Sequence, residues 1–258
     1  MQSTTDSRIL ITFDVDGTLV RSVGANSAER NRWHHLAFAA GMKEVFNIDN
    51  ADVTAIDHHG MTDMLIAHDL AIYYGVPEKE VNAEKVTKVM EVMGDFGREH
   101  ADKFGEGLEL LPGVRSLLQT LSETYHDRVV VGLVTGNVES IGWAKMRALG
   151  IEQYFTTEPI RIGAFGGNDS PYRTELVRLA RSKAEKVFPN IKRHFHVGDA
   201  PSDISAAIDG GAFAIGVTTG TFSFETLNSV PKTTPTNHVI FKNLVDKDAV
   251  LKVMGLLN

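Results

Sequence analysis

The run Ile9-Leu10-Ile11-Thr12-Phe13 passes directly into Asp14-Val15-Asp16-Gly17-Thr18-Leu19, and no other junction in the chain constrains the fold as strongly. A short apolar run bounded by turn residues reads as a buried β-strand. In an open α/β sheet the C-terminal ends of the strands are where ligands bind. Two carboxylates delivered there are costly unless a cation or a reaction uses them. Residues two apart in a strand point to the same side, but Gly17 lets the chain turn just past Asp16, so the two carboxylates diverge. One can act as a nucleophile while its neighbour handles a proton, with a divalent cation relieving their repulsion. The competing reading is an Asp-rich turn that caps the next element.

The chain has 258 residues, 43% of them hydrophobic, enough for one large domain or a core domain with an insertion. A formal net charge of -7 argues against nucleic acid as the main partner. There is no cysteine, which excludes disulfides, thiolate metal sites and cysteine nucleophiles. The segment before Arg8 lacks the apolar stretch of a secretory signal, and no segment approaches bilayer-spanning length. The expectation is a soluble, cytoplasmic monomer or homodimer, with no membrane partner.

After Thr18 the pattern turns helical, with apolar positions at Trp33, Leu36, Ala37, Ala40 and Val45. Further helices are expected over 63–74 and from Pro77 to about Lys103, and no other strand is expected before about Gly107. The second half alternates strands and helices, the sign of parallel βαβ units. Strands are expected at 129–134, 194–197, 212–217 and 238–241, and helices at 138–149, 173–187, 202–208 and 246–256. The glycine-rich stretch Gly163-Ala164-Phe165-Gly166-Gly167 lacks a dinucleotide fingerprint and reads as a flexible loop near the site. The first strand belongs with the later ones, so the helical region is an insertion into an α/β core.

Three strand ends carry polar clusters: Asp14 to Thr18, Thr135-Gly136-Asn137, and Gly198-Asp199-Ala200-Pro201-Ser202-Asp203. Parallel strands bring such ends to one edge. Thr135 offers a hydroxyl, and Gly136 and Asn137 offer backbone N–H groups before a helix, a seat for phosphate; helix capping is the alternative. Asp199 follows a strand and a glycine and can reach a cation held by Asp14, whereas Asp203 fits a helix cap. Carboxylates, a carbonyl and water select a hard ion, magnesium when phosphate also binds.

On these motifs the chain resembles the haloacid dehalogenase-like hydrolase superfamily in its phosphatase branch. Asp14-Val15-Asp16-Gly17-Thr18 matches its D-x-D-G-T motif, Thr135 its strand-closing Ser or Thr, and Gly198, Asp199 and Asp203 its G-D-x-x-x-D motif. The family's third motif supplies a lysine, and here Arg173 stands at about that place, with Lys183 or Lys186 as alternatives. The resemblance implies a three-layer, Rossmann-like parallel-sheet core (1–19 and 108–258) with an α-helical cap (20–107) that selects the substrate. Gly60-Met61-Thr62-Asp63 resembles a segment of phosphoglycolate-phosphatase-like caps; a glycine turn with a helix cap is the alternative.

The resemblance further implies a magnesium-dependent phosphatase for a small phosphorylated metabolite. Asp14 would form an aspartyl-phosphate, and Asp16 would serve as acid and then base. The cation would be held by Asp14, the Asp16 carbonyl and Asp199, and the phosphoryl oxygens by Thr135 and Arg173, with Gly17, Thr18 and Asp203 in support. A phosphomutase using the same intermediate and a non-catalytic phosphometabolite binder are the alternatives. The histidine pairs His34-His35 and His58-His59 are not expected to form a metal site, since adjacent helical residues do not face each other. His194 and His196 are expected to pack within a strand.

Overall fold

The computed structural model describes residues 7–24, 31–231 and 237–257; the segment through residue 6, and Asn258, lie outside them. Six strands form one parallel sheet in the order β5-β4-β1-β6-β7-β8: β1 (Arg8–Phe13), β4 (Val129–Thr135), β5 (Gly163–Phe165), β6 (Ile191–Gly198), β7 (Phe213–Val217) and β8 (His238–Phe241). Alternation along β1 and β4 sends Ile9, Ile11, Phe13, Val129, Val131 and Leu133 to one face, where α4 (Val114–Thr124), α5 (Glu139–Ala148) and α9 (Lys247–Met254) cover them. Leu10, Val130 and Val134 face the other side, beneath α6 (Arg173–Val187), α7 (Pro201–Asp209) and α8 (Phe224–Asn228). Phe13, Leu10 and Ile11 are fully buried, and each such side chain contributes about 1.5–3 kcal/mol to stability.

Between β1 and β4 lies the helical insert: α1 (Arg32–Phe46), α2 (Asp63–Tyr73) and α3 (Ala83–Glu99). Its own apolar cluster, with Phe38, Met42, Leu70, Val89 and Met93, also takes in Val138, Ile141 and Ala144 from α5 and the residue before it. Helix α5 is therefore shared: Trp143 and Met146 pack on the sheet while Ile141 and Ala144 pack on the insert.

Several local expectations are corrected. The strand-free reading up to Gly107 misses β2 (Val20–Ser22), which pairs antiparallel with β3 (Leu108–Leu110) where the insert leaves and rejoins the core; three-residue strands leave no periodicity to read. The stretch read as a flexible glycine-rich loop contains β5, held at the sheet edge by pairing with β4. The helix expected from Pro77 begins at Ala83, because the Asn82 side chain accepts the Lys85 N–H and caps it there, whereas Pro77 precedes a short 3₁₀ turn. The amphipathic helix α4 has no counterpart among the expected helices. Among the described residues, no helix is long and apolar enough to cross a membrane.

Candidate active site

Asp14 directly follows β1, Thr135 closes β4, and Asp199 directly follows β6. Because β4, β1 and β6 are adjacent, these three residues come together at one sheet edge. They line a cavity of about 590 Å³ with Asp16, Gly17, Gly136, Asn137, Arg173 and Asp203. Residues of the insert, among them His34, His35, Phe38, His58 and Met61, form its opposite wall.

Gly17 sits at φ +86°, and a Cβ there would lie 2.4 Å from Asp199 Oδ2, so the turn needs glycine for both conformation and space. The Thr18 hydroxyl donates to Asp199 Oδ1 at 3.2 Å, and the Thr219 hydroxyl donates to the Gly17 carbonyl at 2.6 Å. The Asn137 N–H is 3.4 Å from Thr135 Oγ1.

The carboxylates of Asp14, Asp199 and Asp203 are buried, each offering an oxygen within 4.8 Å of the others. Arg173, on the first turn of α6, places Nη1 3.1 Å from Asp14 Oδ1 and 2.9 Å from Asp203 Oδ1. Lys183 turns away and donates to the Gly163 carbonyl at 2.8 Å. Asp203 also accepts the Ala200 N–H at 3.0 Å, so it caps α7 and anchors Arg173 at once. One guanidinium cannot balance three buried acids. Burial, then Asp203, push the Asp14 carboxyl up to about 6, and burial with Asp203 and Asp14 raises Asp199 well above the usual range.

Asp16 stands in the opposite environment. Lys145, in α5 and fully buried at 0% side-chain exposure, donates to Asp16 Oδ2 at 2.7 Å and Oδ1 at 2.9 Å. Asn137 Nδ2 donates to Asp16 Oδ2 at 3.0 Å. Burial favours the neutral acid, but the Lys145 ammonium outweighs it and, with the Asn137 amide, holds Asp16 below the usual carboxylate range.

Lys145, His34 and Asp63 were not recognised as site residues in the sequence. Lys145 falls four residues after Ile141, on the α5 stripe that faces the insert, and that spacing is its one local signal. In Gly60-Met61-Thr62-Asp63 the Thr62 side chain makes no cap hydrogen bond to α2. The segment instead docks on the core: the Thr62 hydroxyl donates to the Pro171 carbonyl at 2.9 Å, the Asp63 N–H to the Gly136 carbonyl at 2.9 Å, and the Ser202 hydroxyl to the Gly60 carbonyl at 3.0 Å. A Cβ on Gly136 would meet the Met61 carbonyl at 2.6 Å. Adjacent His34 and His35 both line the cavity, and His34 also reaches Asp63 at 3.0 Å. His194 and His196 are buried in β6, where both ring nitrogens nearest Thr12 share its hydroxyl at 2.9 and 3.1 Å.

The family model for haloacid dehalogenase-like hydrolases matches residues 10–211, and the chain belongs to that family. It is a hydrolase by that membership. Solved structures share the fold across nearly the whole chain. A predicted phosphatase from Clostridium acetobutylicum has a TM-score of 0.62 at 20% identity, covering 97% of this chain and 100% of its own. A predicted phosphoglycolate phosphatase from Haemophilus somnus has a TM-score of 0.60 at 20% identity, covering 98% and 100%. β-Phosphoglucomutase from Clostridium difficile has a TM-score of 0.56 at 19% identity, covering 96% and 97%. No curated protein matches the sequence significantly.

Proposed function

We propose that this chain is a magnesium-dependent phosphatase of small phosphomonoester metabolites, with Asp14 as nucleophile and the insert as the substrate-selecting cap. The observation that carries the reading is the pair of carboxylates two residues apart in opposite electrostatic settings. Asp14 lies among acids with a guanidinium beside it, and Asp16 lies against a buried ammonium. Such separated environments divide nucleophile from proton-transfer group.

The donor set fits a hard divalent cation: three buried carboxylates gather within 4.8 Å with a single guanidinium against them. Asp14, Asp199 and the Asp16 carbonyl would hold the ion, with the Asp203 carboxylate adjacent. When bound it supplies charge neutralisation for the meeting of phosphate and carboxylate. Asp16, ionised beside Lys145, first takes the acidic proton of a phosphomonoester monoanion. Asp14 attacks phosphorus, forming the Asp14 acyl phosphate as the P–O bond to the substrate oxygen breaks, and Asp16 passes that proton to the leaving oxygen. Water then attacks the acyl phosphate while Asp16 takes one of its protons and hands it to the departing phosphate, so Asp16 ends the turnover ionised, as it began. The ionised form held beside Lys145 is the one the second half-reaction requires. Thr135 with the N–H groups of Gly136 and Asn137, and Arg173 from the other side, bind the phosphoryl oxygens.

The test is phosphate release from a panel of small phosphomonoesters, with magnesium and with chelator, on wild type and Asp14→Asn in parallel. Metal-dependent release that disappears in the variant is expected. Undiminished release by folded Asp14→Asn refutes the nucleophile, and an isomeric phosphate ester in place of free phosphate identifies a mutase.

A further inference from the structure

We propose that Lys145 is the positioning residue that aims the Asp16 carboxylate for proton transfer, and that its contact with His34 makes this alignment depend on the docked insert. The inference rests on the phosphatase reading above and adds a residue that lies in none of the family motifs matched in the sequence.

The Lys145 ammonium has four polar neighbours: both Asp16 oxygens at 2.7 and 2.9 Å, Asn137 Oδ1 at 2.9 Å and His34 Nδ1 at 3.3 Å. An ammonium has only hydrogens to offer, so His34 Nδ1 accepts, which leaves Nε2–H to donate to Asp63 Oδ2 at 3.0 Å. The same Asp63 oxygen accepts the Val138 N–H at 2.8 Å. The chain of bonds thus leaves the core at Val138, crosses the insert through Asp63 and His34, and returns to the core at Lys145. Asn137 closes it, accepting from Lys145 through Oδ1 and donating to Asp16 through Nδ2. Each named contact fixes the next, and the carboxylate at the end has little freedom to rotate.

Burial explains why the arrangement is specific. Lys145 is fully enclosed because α5 is covered by the sheet on one side and the insert on the other, while the Asp16 side chain remains 37% exposed to the cavity. The lysine is sealed from solvent and its partner is open to substrate. That geometry suits a residue that acts through Asp16 and does not touch the ester. Movement of the insert away from α5 would remove His34 and expose the ammonium to water, loosening its hold on Asp16.

The test compares kcat/KM for 4-nitrophenyl phosphate, whose leaving group needs little protonation, and ethyl phosphate, whose leaving group needs it fully. Lys145→Met is expected to lower kcat/KM on ethyl phosphate about 100-fold, with kcat/KM on the aryl ester, which reports formation of the acyl phosphate, reduced less than about 5-fold; kcat falls on both, since Asp16 also serves the common hydrolysis of that intermediate. In an Asp16→Asn background the same change should cost nothing further on ethyl phosphate. His34→Leu, which leaves the core untouched, should give a leaving-group-selective loss of about 10-fold, and His34→Gln, which can accept from Lys145 and donate to Asp63, should restore most of it. Equal losses of kcat/KM on both esters, additive losses in the double variant, or equal behaviour of His34→Leu and His34→Gln would overturn the proposal. The two His34 variants decide it alone if Lys145→Met does not fold. Failure of wild type to release phosphate from either ester overturns the phosphatase reading and this role together; normal wild-type turnover with unselective variants overturns this role alone.

Discussion

Two anionic regions grow from the Asp14-Val15-Asp16 segment, and they are built on opposite principles. At the sheet edge, Asp14, Asp199 and Asp203 crowd around one guanidinium, and burial with mutual repulsion raises the first two. At the seam between core and insert, Asp16 meets a sealed ammonium and an amide and is held in its charged form. The first region is electrostatically incomplete, and in the proposed function a cation would complete it; the second is already balanced. The contrast shows how one D-x-D sequence yields two carboxylates with different chemistry: the backbone separates them by a single turn, and the surroundings do the rest.

The comparison breaks most visibly at Asp14. Asp14→Asn should lower phosphate release by about 10³-fold or more, the scale of removing a nucleophile, and should leave the fold intact. Its effect on stability has a definite sign. A carboxyl at about 6 when folded and 3.8 when unfolded binds more protons in the folded state across that window, so it costs stability as pH rises through it. In metal-free buffer the variant should therefore lose less stability than wild type between pH 4 and 6, by up to about 1.4 kcal/mol per pH unit. A steeper decline in Asp14→Asn, followed by denaturant unfolding, would show that burial and the neighbouring acids do not raise the Asp14 carboxyl.

Arg173→Met should destabilise by about 3–5 kcal/mol, because it strands buried acids on which the guanidinium is the near cation. Lys145→Met should cost less, since the Asp16 side chain it leaves is 37% exposed and can be hydrated. Urea midpoints for the two variants in the reverse order would remove the asymmetry between the regions. Magnesium sharpens the same contrast: at about 100 times its dissociation constant it should stabilise wild type by about 2.7 kcal/mol. Asp199→Asn should abolish most of that gain, and Asp16→Asn should keep it if the ion uses the Asp16 carbonyl.

The smallest effect concerns acid sensitivity that belongs to neither region. Burial, then His196, push His194 down to about 3 from 6.5. The unfolded chain takes up a proton there first as pH falls, so stability is retained above 6.5 and lost from 6.5 toward 3. His194→Gln should flatten that slope by a fraction of its maximum of about 1.4 kcal/mol per pH unit. An unchanged slope in thermal melts between pH 6.5 and 4 would assign the acid sensitivity to other groups.

Much of the sheet was legible because its strands are short apolar runs ending in polar turns; the 238–241 strand and the 173–187 helix have the bounds that their patterns predict. Asp14, Thr135 and Asp199 could be grouped in advance because parallel strands align their ends. β5 was not legible, since Gly163-Ala164-Phe165 has too few side chains to show a period and owes its extended form to pairing with β4. Nor was Lys145, because a lysine between Ala144 and Met146 in a helix is ordinarily solvated; only the packing of the insert on α5 encloses it.

The sequence by itself determined the alternation that builds the core, the turn that parts Asp14 from Asp16, and the set of residue types that the chemistry uses, since all are local or follow from strand direction. Tertiary structure alone decided which charges meet. Arg173 reaches Asp14 across 159 positions of chain and Lys145 reaches Asp16 across 129, and ion pairs of that separation depend on how helices cover the sheet, which no local pattern records.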